Sequence, residues 1–266
     1  MALTREQRER LSRVRMFVLD MDGTIYLGER LFPFTVGFLQ KVRNTGRDFC
    51  FFTNNSSKNR EAYLEKLSRM GIPVPPEKML ISNGVILEWL KERHPGARCW
   101  VVGTPFLQED FRKAGFTPDD PEADLVILGF DTTLTYEKLD KICRFVRNGV
   151  PFVATHMDTN CPTEDGFMPD CGAMCDLITS STGVKPRFLG KPFKETVDMV
   201  LEITGFKRDE VAFVGDRIYT DVATGVKNGA KGFLVLTGEA DMQTVAESEV
   251  EPDCIYDSLY EMSKYL

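Results

Sequence analysis

The 266-residue chain has no surplus of positive charge: 33 lysines and arginines stand against 40 aspartates and glutamates, a formal net charge of -7. Gathering a polyanion needs a basic surface, so a nucleic acid polymer is not expected as the main partner. A small phosphate remains compatible, because a metal ion and one lysine can supply positive charge locally. No run approaches the roughly 18 uncharged apolar residues of a membrane span, so no membrane partner is expected either. The opening MALTREQRERLSRVRMFVLD spreads its charges throughout and lacks the apolar stretch, about 7–15 residues long, of a secretory signal. The cysteines, at 50, 99, 143, 161, 171, 175 and 254, are odd in number and irregular in spacing, which speaks against a disulfide framework and fits reduced thiols. A cytoplasmic protein is the expectation. Cys161, Cys171 and Cys175, with His156 nearby, match no zinc ribbon or finger spacing and read as buried or loop thiols. Repeats and low-complexity segments are absent as well, while 42% of the residues are hydrophobic, enough for a sizeable core.

What is present is an alternation of short apolar runs and longer amphipathic stretches, the α/β pattern of a parallel sheet. Residues 14–19, 48–53 and 78–81 read as strands, and 34–44 and 58–70 as helices closed by Gly46 and Gly71. From Arg98 the pattern restarts with strands CWVVG, DLVILGF and VPFVAT, helices over 105–114 and 136–147, a polar loop over 156–172 and a helix to Ser181. After Gly183 come strand KPRFLG, a helix over 194–204, strand VAFVG, a helix over 220–228 and strand GFLVLTG. This last stretch resumes the character of the first. The expected organisation is therefore a core domain built from 1–82 and 185–266, with an α/β domain inserted at 83–184.

Four strand ends carry polar residues that suit chemistry. The first delivers Asp20-Met21-Asp22-Gly23-Thr24, and ligands of open parallel sheets lie beyond such carboxyl ends. Two carboxylates separated by one residue converge there, while Gly23 lets the chain turn. A plain turn or cap explains the same residue types, so this motif alone leaves both readings open. The second strand ends in Thr53-Asn54-Asn55-Ser56, with hydroxyl, amide and backbone donors for a phosphoryl group or, equally, a helix cap. KPRFLG delivers Lys191-Pro192, a lysine wedged between a buried strand and a proline. VAFVG delivers Gly215-Asp216 with Asp221 five residues on, another acidic pair.

Taken in order, these motifs resemble the four of the haloacid dehalogenase superfamily, spaced as in its phosphatases. The long insertion, with TNNSS, LVILGFDTTLTYEKL, FVATHMDTN, LGKP and GDRIYTD, resembles the NagD-like, p-nitrophenylphosphatase-like subgroup, subclass IIA. The likeness spans about 14–237. It implies a Rossmann-like core with a parallel sheet and an inserted α/β cap. It also implies that Asp20 is a nucleophile forming an aspartyl phosphate and Asp22 the general acid and base. Mg²⁺ would be held by the Asp20 carboxylate, the Asp22 backbone carbonyl and the Asp216 carboxylate, with Asp221 outside the direct ligands. Thr53, the Asn54 amide and Lys191 would neutralise the transferring phosphoryl group, and Gly23 and Asn55 would lie at the substrate. The 156–172 loop occupies the place of the family's specificity loop, which makes His156, Asp158 and Asn160 candidates for leaving-group contacts; a solvated or dimer-contact loop explains them equally.

The expected activity is thus a Mg²⁺-dependent phosphatase acting on small soluble phosphomonoesters such as sugar phosphates and nucleotides, with room for a homodimer through the cap. Haloacid dehalogenation shares the nucleophile but has no leaving alkoxide to protonate, so Asp22 argues against it. A signalling receiver also gathers Asp, Thr and Lys around Mg²⁺, but the insertion of roughly 100 residues and the DxDGT order do not suit one. A binding protein without turnover would not need all four motifs complete.

Overall fold

The computed structural model of the protein describes residues 3–163 and 165–266. They form two compact units, one from the residues up to Thr53 with 64–80 and 191–266, the other from 54–63 with 81–190.

The first unit is built on a six-stranded sheet whose order is Cys254–Tyr256, Lys231–Val235, Val211–Gly215, Met16–Leu19, Asp48–Thr53 and Met79–Ile81. Met16–Leu19 pairs in parallel with a neighbour on each side, Leu19 facing Val214 and Phe51. All four of its residues are buried, as a parallel strand covered on both faces requires. Helix Thr35–Asn44 buries Phe38, Leu39 and Val42, and helix Lys194–Thr204 buries Val197, Met199 and Val200, each at helical spacing. From Met16–Leu19 the chain moves outward to one edge of the sheet, and later strands fill the other side. That reversal opens a crevice at the carboxyl ends of the central strands.

The second unit has a four-stranded sheet ordered Arg187–Phe188, Phe152–Ala154, Leu125–Leu128 and Cys99–Val102, parallel throughout. Helices Tyr136–Arg147 and Cys171–Thr182 pack Ile142, Val146, Cys175 and Ile178 on Val126, Leu128 and Phe152. Among the described residues no helix is long and apolar enough to cross a membrane.

Several local expectations change. KPRFLG does not join the first sheet: Arg187–Phe188 pairs with Phe152–Ala154, and the N–H groups of Leu189 and Gly190 donate to Ala154 and Thr155 carbonyls at 3.3 and 2.8 Å. The second unit therefore runs to Gly190, beyond the expected limit at 184, and it also takes in 54–63. Residues 82–93, given no element by their pattern, form helix Ser82–Arg93. The 156–172 stretch is not all loop, since Asn160–Thr163 and Gly166–Pro169 pair as antiparallel strands. The helix expected over 220–228 begins instead as a π-helical turn, Ile218–Val222, continued by the α-helix Ala223–Lys227. Arg5–Arg13 adds a helix whose Thr4 and Gln7 cap each other reciprocally.

Candidate active site

Three strand ends and one crossing segment bring the charged residues of the first unit together. Asp20 extends the central strand by one residue, its N–H donating to Val214 O at 2.8 Å, which fixes the carboxylate beyond the sheet. Gly23 then turns the chain at φ 81°, where a Cβ would lie 2.5 Å from Asp216 Oδ2. Both the backbone conformation and the close approach require glycine there. Asp22 is half-buried in this turn, and Thr53 is buried at the end of Asp48–Thr53.

Lys191 is the centre of the cluster. Its Nζ donates to Asp20 Oδ1 and Asp221 Oδ1, each at 2.6 Å, and to Phe52 O at 3.4 Å. Asp221 is held from the other side by Arg217 N–H, which donates to Oδ2 at 3.0 Å. Carboxylate oxygens of Asp20, Asp216 and Asp221 lie within 4.8 Å of one another. Three clustered carboxylates thus share one ammonium, which Asp20 and Asp221 meet directly. Burial and the Asp221 charge raise the Asp20 pKa well above the ordinary carboxylate range, although Lys191 opposes them. Burial and Asp221 push Asp216 to about 7. Burial works against the Lys191 charge, but Asp20 and Asp221 outweigh it and raise its pKa. The cluster has an excess of negative charge that one further cation would meet.

Two supporting residues were not legible as such. Glu239 N–H donates to Asp216 Oδ2 at 2.7 Å, and Thr237 Oγ1 donates to Gly23 O at 2.5 Å. The only signal for them is that the strand read as GFLVLTG ends beside them, at a fourth strand end of the same sheet.

The remaining candidates belong to the second unit. Asn54 Nδ2 donates to Asp158 Oδ2 at 3.0 Å. Asn55 Oδ1 accepts from the Ser57 N–H at 3.0 Å and the Ser57 hydroxyl at 2.6 Å, a local turn. His156 is fully buried, with Nε2 2.8 Å from Asp170 Oδ1 and Nδ1 2.9 Å from Thr155 Oγ1. Burial opposes its charge, but Asp170, Cys171 and Asp158 lift it to about 9. His156 and Asp158 therefore point inward; of the three residues suggested for the leaving group, Asn160 alone is exposed.

A doubly wound parallel sheet with Asp20, Thr53 and Asp216 at its carboxyl ends, joined by Lys191 from a crossing segment, is the arrangement of a hydrolase of the haloacid dehalogenase type. Residues 17–117 match the haloacid dehalogenase-like hydrolase family and residues 188–262 a second HAD-hydrolase-like family. The chain is 34% identical over 252 residues to an acid sugar phosphatase of Staphylococcus aureus, covering 94% of this chain and 97% of that one. The structure of a 4-nitrophenylphosphatase from Thermotoga maritima matches with a TM-score of 0.92 at 40% identity, over 96% of this chain and 98% of that one. NagD from E. coli K-12 matches with a TM-score of 0.85 at 29% identity, over 93% and 98%. The chain belongs to the haloacid dehalogenase-like hydrolases, in their NagD-like, p-nitrophenylphosphatase-like group, and is a phosphoric monoester hydrolase.

Proposed function

We propose that the protein hydrolyses small soluble phosphomonoesters, sugar phosphates and nucleotides among them, through an aspartyl phosphate on Asp20. The observation that carries this reading is the cluster of Asp20, Asp216 and Asp221, two of which meet the Lys191 ammonium, with more carboxylates than that one cation balances. An all-oxygen, negatively charged donor set fits a hard divalent cation such as Mg²⁺. Asp20, Asp216 and the Asp22 carbonyl would hold it, with Asp221 engaged instead by Lys191 and the Arg217 N–H. When bound, Mg²⁺ offsets negative charge on the phosphoryl group and the nucleophile.

The chain's own groups perform the bond changes. An Asp20 carboxylate oxygen attacks phosphorus, the bond from phosphorus to the ester oxygen breaks, and Asp22 gives its proton to that departing oxygen. Asp22, now a carboxylate, takes a proton from water, whose oxygen attacks phosphorus; the bond to Asp20 breaks and inorganic phosphate leaves. Asp20 is again a carboxylate and Asp22 again an acid. Thr53, the Asn54 N–H and the Lys191 ammonium stabilise the transferring oxygens throughout. The names of the similar proteins, acid sugar phosphatase and 4-nitrophenylphosphatase, support a small ester as substrate. Seven free cysteines support a reducing compartment, the cytoplasm.

The test is phosphate release from a panel of phosphometabolites and p-nitrophenyl phosphate with Mg²⁺, after EDTA, and after Mg²⁺ is restored. Turnover should stop and return. Full activity after exhaustive chelation would assign the carboxylate cluster another purpose.

A further inference from the structure

Asn54 directly follows Thr53, and Gly190 directly precedes Lys191. Both belong to the second unit, and they pack together: a Cβ on Gly190 would lie 2.7 Å from Asn54 Oδ1 and 2.5 Å from Thr155 O. The Asn54 carboxamide therefore packs against the residue that precedes Lys191 in the chain. The backbone carbonyl of Asn54 accepts from Ser82 Oγ at 2.6 Å, and its side-chain Nδ2 donates to Asp158 Oδ2 at 3.0 Å, with all three residues buried. Asp158 is itself anchored, since its carbonyl accepts from Gly172 N–H at 2.7 Å in the first turn of Cys171–Thr182. A carboxylate accepting from an amide away from water is a strong and directional anchor.

We propose that Asp158 is a positioning residue for phosphoryl transfer: by holding the Asn54 carboxamide against Gly190, it sets the direction of the Asn54 N–H. This rests on the proposed function, which gives that N–H the phosphoryl oxygens. It separates Asp158 from a leaving-group contact. The phosphoryl group is common to every ester, so a residue acting through it changes all of them alike, whereas a leaving-group contact changes their order.

The experiment measures kcat and KM for p-nitrophenyl phosphate and a sugar phosphate, with Mg²⁺, for Asp158→Ala, Asp158→Asn, Asn54→Ala and the double alanine variant, together with their unfolding temperatures. Misplacement of a binding group should lower kcat about 10- to 100-fold, by one factor for both esters, with KM within about threefold. Asp158→Asn keeps an acceptor oxygen and should recover most of the rate, and the double variant should lose no more than the weaker single one. A reordering of the two esters overturns the proposal, as does Asp158→Asn behaving no better than alanine. Should Asp158→Ala fail to fold, Asn54→Ala decides, and its full activity overturns the proposal. A wild-type protein that releases no phosphate from any ester overturns the phosphatase reading and this proposal with it; an active wild type whose variants behave otherwise overturns the proposal alone.

Discussion

Each of the two units buries a set of three ionisable donors, and the sets resolve their charges in opposite ways. In the first, Asp20, Asp216 and Asp221 cluster with one lysine, which pairs with Asp20 and Asp221, and Asp20 and Asp216 both have raised pKa values. In the second, His156, Asp158 and Asp170 also bring ligand atoms within 4.8 Å of one another. There the imidazole lies between Asp170 and Thr155, and Asp158 accepts from Asn54. Buried charge is costly unless paired, so the better matched set, one imidazole against two carboxylates of which one is held by a neutral amide, is a fastening, and the set in larger excess is a demand for a ligand. The comparison teaches that the kind of residue does not distinguish site from scaffold; the charge balance of its neighbours does.

The change with the largest expected effect removes the proposed nucleophile from the mismatched set. Asp20→Asn replaces a carboxylate by a near-isosteric amide that is a poor nucleophile, and phosphate release should fall by ~10³-fold or more while the fold survives. Circular dichroism and a phosphate-release assay check this together; activity within a few fold of wild type would remove Asp20 from the chemistry. Lys191→Ala comes next. It deepens the charge mismatch and removes an electrostatic donor beside the phosphoryl group, so kcat/KM should drop ~10²-fold whatever the leaving group. If the loss differs strongly between p-nitrophenyl phosphate and a sugar phosphate, Lys191 belongs to substrate selection instead.

The mismatched set is the part that the sequence makes legible. Asp20, Lys191 and Asp216 each stand beside a glycine, a proline or a strand end, with Asp221 five residues after Asp216, and a parallel sheet delivers strand ends to one place. Lys191 nevertheless arrives by another route, after a strand of the second sheet, because Leu189 and Gly190 continue the pairing with Ala154 and Thr155. Thr237 and Glu239 stay hidden because they act through a small hydroxyl and a backbone N–H, which any residue type near a strand end could offer. The hairpin over 160–169 is hidden because its strands are four residues long and include Pro162, a residue that weakens any strand assignment. His156 and Asp158 look like solvent-facing loop residues until their partners are known. Their inward direction depends on Asn54 and Asp170, which lie 104 and 14 residues away.

The matched set makes a prediction of its own, on stability rather than rate. The folded-state pKa of His156 is raised to about 9 from an ordinary 6.5, with Asp170, Cys171 and Asp158 as the groups that face it. A raised pKa means that the folded state binds the proton more tightly. The stabilisation is therefore complete below pH 6.5 and is lost as pH rises through 9. The full effect is on the order of 3 kcal/mol. Denaturant unfolding of wild type should weaken between these limits more steeply than that of His156→Gln, which has no proton to lose. Equal slopes would mean that His156 is neutral in the fold and the second set is not charge-matched through it.

The smallest expected effect concerns Asn160, which is exposed at the start of Asn160–Thr163. Unlike His156 and Asp158, it is exposed and outside the buried network, so under the proposed function it is the candidate left for a leaving-group contact. Asn160→Ala should change stability by no more than about 0.5 kcal/mol, as exposed substitutions away from a core do. A side chain that touches only the departing part of an ester changes the ratio of kcat/KM between esters, because that ratio reports differential transition-state binding. A shift of about two- to fivefold between p-nitrophenyl phosphate and a sugar phosphate is expected, with the Mg²⁺ requirement unaltered. Lys191→Ala should do the reverse, lowering both esters and leaving their ratio alone. If Asn160→Ala leaves the ratio unchanged while Asp158→Asn alters it, selection runs through the buried residues, and the division between an exposed selecting position and an inward fastening set does not hold.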